Sequence, residues 1–177
     1  MDDNWIQTFS GKKFSPMMPR IEDIDIKDAA HALSRICRFG GHVNCEIYSV
    51  AQHSVMVSEL CKPENALYGL LHDLSEAYIG DVVAPLKRST EFDNYKKIEK
   101  HLQSMIYKKF GLSDEEPKDV KKADLIALST EAAQFMTPLH AEWILPYEPL
   151  DIYIEPLLPS KAEKLFLERF KELYNGC

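Results

Sequence analysis

The chain has 177 residues, is 45% hydrophobic and 28% charged, and carries 21 Lys and Arg against 28 Asp and Glu for a formal charge of −7. That balance excludes a disordered or collagen-like polymer, and it argues against a broad nucleic-acid-binding face, which needs clustered cations. It leaves room for a small anionic ligand held by a few local cations or a metal.

One domain is expected over residues 1–177, with an irregular arm at 1–24 and a helical core at 25–177. The acidic start, Met1-Asp2-Asp3-Asn4-Trp5, does not read as a secretory leader, and no apolar run is long enough for a membrane span. Cys37, Cys45, Cys61 and Cys177 form no CxxC pair, so neither a thiol zinc cage nor a disulfide framework is signalled and a reduced, cytoplasmic protein is expected.

In chain order, Phe9-Ser10-Gly11-Lys12-Lys13-Phe14 predicts a tight turn between two short extended arms. From Asp25 the apolar residues Ile26, Ala29, Ala30, Leu33, Ile36 and Cys37 recur at helical spacing, with Arg35 and Arg38 in the last turn before a stop at Gly40-Gly41. A second helix is predicted over Ser49 to Cys61. A third runs from Pro63 to about Gly80. Others span about Thr90 to Phe110, start again at Pro117, and close the chain from Ser160 to Tyr174. Five prolines between Pro138 and Pro159 predict a long extended or turning segment. The fold class is all-α, a bundle of about six helices.

Polar residues inside apolar helical stripes are the candidates for chemistry, because a buried polar group needs a partner. His53 interrupts the stripe of the second helix. His72 and Asp73 sit in the later part of the third, and on a continuous helix Glu76, four residues on, shares the face of His72. Asp124 lies inside Ala123-Asp124-Leu125-Ile126-Ala127. Each alone could be a hydrogen-bonded core histidine or a salt-bridged acid. Together His53, His72, Asp73 and Asp124 supply two imidazoles and two carboxylates, a set suited to one divalent cation with open positions: Mn, Co or Fe, Zn with distortion, and Mg as a further choice.

The order His…His-Asp…Asp on helices resembles the signature of the HD-domain metal-dependent phosphohydrolases. The longer run His72-Asp73-x-x-Glu76-x-x-x-Gly80-Asp81-x-x-x-Pro85-x-Lys87 is similar to that of the bacterial 5′-deoxynucleotidases and the phage deoxyadenosine-triphosphate triphosphohydrolases. Arg35 to Pro85 carries most of the resemblance, with Asp124 further on. It implies an HD-domain helical bundle, His53, His72, Asp73 and Asp124 as metal ligands, and Glu76 and Asp81 as catalytic acids or bases. It also implies Arg38 and Lys87 as phosphate-facing cations, a small nucleotide as substrate rather than a nucleic-acid polymer or membrane, and a homo-oligomer. Where the deoxynucleotidases have an Arg-Trp pair against the sugar, this chain has Arg38-Phe39-Gly40-Gly41. Phe39 keeps an aromatic face there, and the glycines predict weak base selection. Arg35, Lys12, Lys13 and Lys122 are further cations that could meet phosphate, solvated surface charge being their alternative.

The activity this implies is hydrolysis of the 5′-phosphate ester of deoxynucleoside monophosphates. The alternatives are release of tripolyphosphate from a triphosphate, or a catalytically weak nucleotide-binding regulator. An HD oxygenase with two irons would need additional His or Asp ligands, and of the remaining histidines only His101 lies on a helix between the motifs.

Overall fold

In the computed structural model, which describes residues 4–174, the N-terminal arm is a hairpin of Ile6–Gln7 (β1) and Lys13–Phe14 (β2). The acidic first residues and Cys177 lie outside the described residues. Ile6 pairs with Phe14 and Gln7 with Lys13, and Gly11 turns the chain at a φ of +85°. The hairpin is tied to the first helix, Ile26–Leu33 (α1), through buried Asp28, which accepts from Thr8 Oγ1, Ser10 N and Ser10 Oγ at 2.7–2.8 Å. Asp25 caps α1, accepting from Lys27 N and Asp28 N.

The remainder is mostly helical: 57% of residues are in helix and 4% in strand. α1 stops at Leu33, not at Gly40 as the spacing predicts. Its continuation pairs as extended chain with the segment before the next helix: Val50 N donates to Ile36 O and Arg38 N to Tyr48 O, at 3.0 and 2.8 Å. Ile36 N still donates to Ala32 O at 3.2 Å, so Ile36 reaches the core from the turn that follows α1, and the extended backbone begins at Cys37. Neither Arg35 nor Arg38 lies in the last turn of α1.

Val50–Leu60 (α2) is capped by Ser49 Oγ and buries residues on every side, the pattern of a helix at the centre of a bundle. It packs against Ala66–Leu71 (α3), Lys118–Phe135 (α7) and Pro159–Leu173 (α8). α3 comes close because Gly69 has no Cβ; one built there would lie 2.7 Å from Cys61 Sγ and 3.0 Å from Ser58 Cα. α8 also covers α1 and α3, burying Ala162 and Phe166 completely. The Phe166 ring alone contributes about 2–3 kcal/mol of apolar transfer energy.

The single helix expected from Pro63 to Gly80 is interrupted. After α3, Leu74 N bonds Leu71 O, Glu76 N bonds Asp73 O and Ala77 N bonds Leu74 O, all at i→i+3 spacing, before the short helix Glu76–Ile79 (α4). At three residues per turn, position 76 is rotated about 120° from position 72 rather than 40°. The shared face argued for His72 and Glu76 is thereby lost, while the tightened turn leaves His72 and Asp73 adjacent. Ala84–Arg88 (α5) and Asp93–Lys109 (α6) follow.

Residues 138–158 hold neither helix nor strand. Their main chain is fastened instead by side chains of α7 and α2. Tyr147 N donates to Ser129 Oγ, Leu150 N to Thr130 Oγ1, and Ile154 N to Gln134 Oε1, while Gln134 Nε2 donates to Ile154 O. Gln52 likewise takes Leu157 N and gives to Glu155 O. Among the described residues no helix is long and apolar enough to cross a membrane.

Candidate metal centre

His53 projects from α2 and is fully buried. Its Nδ1 lies 2.6 Å from Oε1 of Glu131, a fully buried carboxylate on α7 that also accepts from Tyr48 Oη at 2.9 Å and, through Oε2, from Arg38 Nη2 at 3.2 Å. Burial works against ionising Glu131, but His53 and Arg38 outweigh it and hold its carboxyl down at about 2. An ionised carboxylate can only accept, so Nδ1 of His53 carries a proton and Nε2 is the ring nitrogen that faces away. His72 is set in the same way: Nδ1 is 2.8 Å from the carbonyl of Gly69, itself only an acceptor.

The two Nε2 atoms converge with the acids. Asp73 Oδ2 is 3.0 Å from His72 Nε2 and 3.7 Å from His53 Nε2, and Asp124 Oδ1 is 3.3 Å from His53 Nε2. Ligating atoms of His53, His72 and Asp73 all lie within 4.8 Å of one another. This group could hold a metal ion. Asp124 meets it from the His53 side, its other oxygen held by Lys121 Nζ at 2.6 Å.

Among the described residues, the buried side-chain nitrogen and oxygen atoms lacking a hydrogen bond are Arg38 Nε, His53 Nε2, His72 Nε2 and Glu76 Oε2. The imidazole–carboxylate contacts are short but not directed as hydrogen bonds. Buried polar atoms without partners are uncommon and costly, and the two imidazole atoms among them converge on Asp73. Two imidazole nitrogens, each of which gives up any proton on ligation, and carboxylate oxygens in that arrangement fit a metal ion.

The charges around this point are strongly coupled. Burial opposes protonation of His72, but Asp73 and Asp124 overcome it and push its pKa up to about 9. Asp73 and Asp124 are held far below the usual carboxylate range despite burial, chiefly by the histidines. Arg38 Nη1 is 3.9 Å from Asp73 Oδ2, so one guanidinium spans a candidate ligand and Glu131. Glu76 goes the other way: burial, then the charges of Asp73 and Asp81, raise it to about 9.

The remaining expected site residues divide. Lys87, on α5, reaches Glu76 Oε1 at 3.2 Å and Glu99 Oε1 at 2.8 Å, so it faces the acid expected to be catalytic. Asp81 follows Gly80, whose φ is +79°, and is half-buried. Phe39 lies beside the Arg38 guanidinium, 5.5 Å from ring centre to Cζ. Arg35 is not brought to the cluster. Its Nη1 donates to His31 O, Ser34 Oγ and Glu163 Oε2 at 2.8–2.9 Å, because α1 ends early and Arg35 turns toward α8. Lys12 is likewise paired, with Asp25 at 2.6 Å.

The chain aligns over 173 residues, 96% of its own length and 96% of the relative's, with the uncharacterized protein YfdR of Escherichia coli (strain K12), at 41% identity. It belongs to the YfdR family. A second member, an uncharacterized protein of Rhodobacter capsulatus, is 32% identical over 142 residues, 73% of this chain and 72% of that one. No family model matches the sequence.

Sequence reasoning missed Glu131, Tyr48 and Glu99. The signal for Glu131 was present: it lies seven residues after Asp124, which on α7 is two turns along and nearly the same face. It stands between Thr130 and Ala132, an acid in an otherwise uncharged stretch. Trp143, in the segment fastened to α7, was also missed; its ring meets Phe39 edge-on at 6.2 Å and 69°.

Proposed function

We propose that this YfdR-family chain is a metal-dependent phosphohydrolase that cleaves the 5′-phosphate ester of deoxynucleoside monophosphates. The observation that carries the reading is the pair of buried, unbonded Nε2 atoms of His53 and His72 turned on Asp73 and Asp124, with the Arg38 guanidinium 3.9 Å from Asp73 and the Glu76 carboxyl buried and half-unbonded. That set combines a cation seat, a phosphate-facing guanidinium and a carboxyl group able to exchange a proton. The sequence resemblance to HD-domain phosphohydrolases points the same way.

His53, His72, Asp73 and Asp124 would hold one divalent cation, with Mn, Co or Fe favoured by the mixed nitrogen and oxygen donors, and Zn or Mg as further choices. Such an ion lowers the pKa of a bound water and offsets phosphoryl charge. Arg38 orients the phosphoryl group and neutralises charge that builds on its oxygens, having one face on Glu131 and the other open toward Asp73. Glu76 exchanges a proton at Oε2, the oxygen with no hydrogen bond, while Lys87 steadies Oε1. Asp81 is the group available to the leaving 5′ oxygen or the sugar hydroxyl.

Release of tripolyphosphate from a deoxynucleoside triphosphate is the second reading. It is favoured by a cleft of about 660 Å3 that borders His72 and Asp73, with space for a longer phosphate chain; its lining mixes Lys87, Lys96, Lys97 and Lys100 with Glu99, Asp114 and Glu116.

A panel of ribo- and deoxynucleoside mono- and triphosphates, crossed with Mn, Co, Fe, Zn and Mg, tests both. Inorganic phosphate from deoxynucleoside monophosphates supports the first reading, and tripolyphosphate the second. A 2′-hydroxyl against Phe39 loses water without gaining a partner, so deoxynucleotides should lead by roughly ten- to hundredfold in kcat/KM. No product from any nucleotide with any metal overturns the enzymatic reading.

A further inference from the structure

We propose that Trp143 and Phe39 together form the wall that seats the nucleotide base, an assignment that rests on the nucleotide reading above. The two rings meet edge to face, and Phe39 in turn lies beside the Arg38 guanidinium, which is 3.9 Å from Asp73. A path therefore leads from the cation seat, past a phosphate-facing charge, to an aromatic corner. That is the order phosphate, sugar, base of a nucleotide.

The backbone is arranged for this corner. Phe39 has a φ of +55°, a left-handed conformation uncommon for a bulky residue, and Gly40 and Gly41 continue it at +61° and +82°. Among the described residues Phe39 is the one non-glycine with positive φ. Arg38 N bonded to Tyr48 O and His42 N to Phe39 O hold the turn on either side. Its effect is to send Arg38 inward while the half-buried Phe39 ring stays outside the core. Such strain at a surface aromatic is a mark of function rather than of packing.

Trp143 reaches the corner from far along the chain. The turn Trp143 N to His140 O leaves its ring half-buried while the next residue, Ile144, is 88% exposed. The segment that follows is fastened to Ser129, Thr130 and Gln134 of α7, the helix that carries Asp124 and Glu131. The helix that carries Asp124 thus also anchors the segment that follows the indole. Val83, 42% exposed and 3.6 Å from where a Cβ on Gly40 would lie, adds an apolar side chain beside the same turn.

An aromatic corner reads the flat face of a base and not its hydrogen-bonding edge, so it accepts every base. Trp143 is thus a specificity residue for the presence of a base, with little choice among the four.

The chain has two tryptophans, Trp5 and Trp143, so Trp5→Phe makes Trp143 the sole indole reporter. Metal-loaded Trp5→Phe protein is titrated with deoxyadenosine and deoxythymidine monophosphates, with inorganic phosphate as control, while equilibrium dialysis measures binding independently. Both nucleotides should quench the indole emission and phosphate should not. Trp143→Ala should raise KM about tenfold or more for all four bases with kcat little changed, and Trp143→Phe should recover most of the loss. If dialysis detects nucleotide binding but emission is unchanged and Trp143→Ala keeps its KM, the wall is wrong and the nucleotide reading survives. If dialysis detects no nucleotide bound to the metal-loaded protein, both fail.

Discussion

Nδ1 of His53 and Oε1 of Glu131 are 2.6 Å apart, with both side chains completely buried. No water competes for either atom, so the carboxylate fixes the ring's orientation and keeps Nε2 turned to Asp73 and Asp124. Glu131→Gln keeps the volume and removes the charge. Its affinity for Mn or Co should fall about 10- to 100-fold by titration calorimetry, with the helical circular dichroism intact. Wild-type affinity in this variant would show that the carboxylate does not tune the site.

Metal removal should be visible in stability, because an ion that binds only the folded chain stabilises it by mass action. At a hundredfold excess over Kd the gain is about 2.7 kcal/mol, or roughly 5–10 °C in Tm for a chain of this size. Chelator-treated protein should regain that interval on addition of Mn. Asp73→Ala should gain little. Equal melting temperatures for wild type with and without Mn would count against the site.

Glu76→Gln addresses catalysis apart from metal binding. Glu76 is 3% exposed and touches none of the imidazoles through a hydrogen bond, and its partner Lys87 keeps Glu99. The variant should bind Mn as the wild type does, while turnover of deoxynucleoside monophosphates falls by about a hundredfold or more. Near wild-type rates with metal bound would remove Glu76 from the proton transfer.

Gly69 sets how closely α3, and with it His72, approaches α2. A Cβ there meets Cys61 Sγ at 2.7 Å and the Ser58 main chain at 3.0 and 3.1 Å, and main chain cannot step aside. Gly69→Ala should cost about 1–3 kcal/mol, measured by thermal unfolding without metal. Adding Cys61→Ala should restore only part of this, since the Ser58 contacts persist. The same variant should weaken Mn binding, because Gly69 also holds His72 through its carbonyl.

Much of this molecule was written in local patterns. Asp25, Ser49 and Pro117 mark helix starts by the chemistry of free N–H groups and of proline, and the observed helices begin beside them. His53 and Asp124 stood out because each interrupts an apolar stripe, and a stripe reports which face is buried whatever it is buried against. What a buried group meets is another matter. The Glu131–His53 pair joins residues 78 positions apart, and the meeting of Phe39 with Trp143 joins two segments that carry no mutual periodicity. The end of α1 at Leu33 was settled by hydrogen bonds to residues 48–50, and the break after α3 by three-residue spacing that an apolar run tolerates as readily as four. Arg35 and Arg38 look alike in the sequence, two cations three positions apart, yet one is drawn to Glu163 on α8 and the other to Glu131 on α7. Periodicity and caps decide secondary structure through neighbours along the chain; the pairing of buried charge is decided by which helices pack side by side.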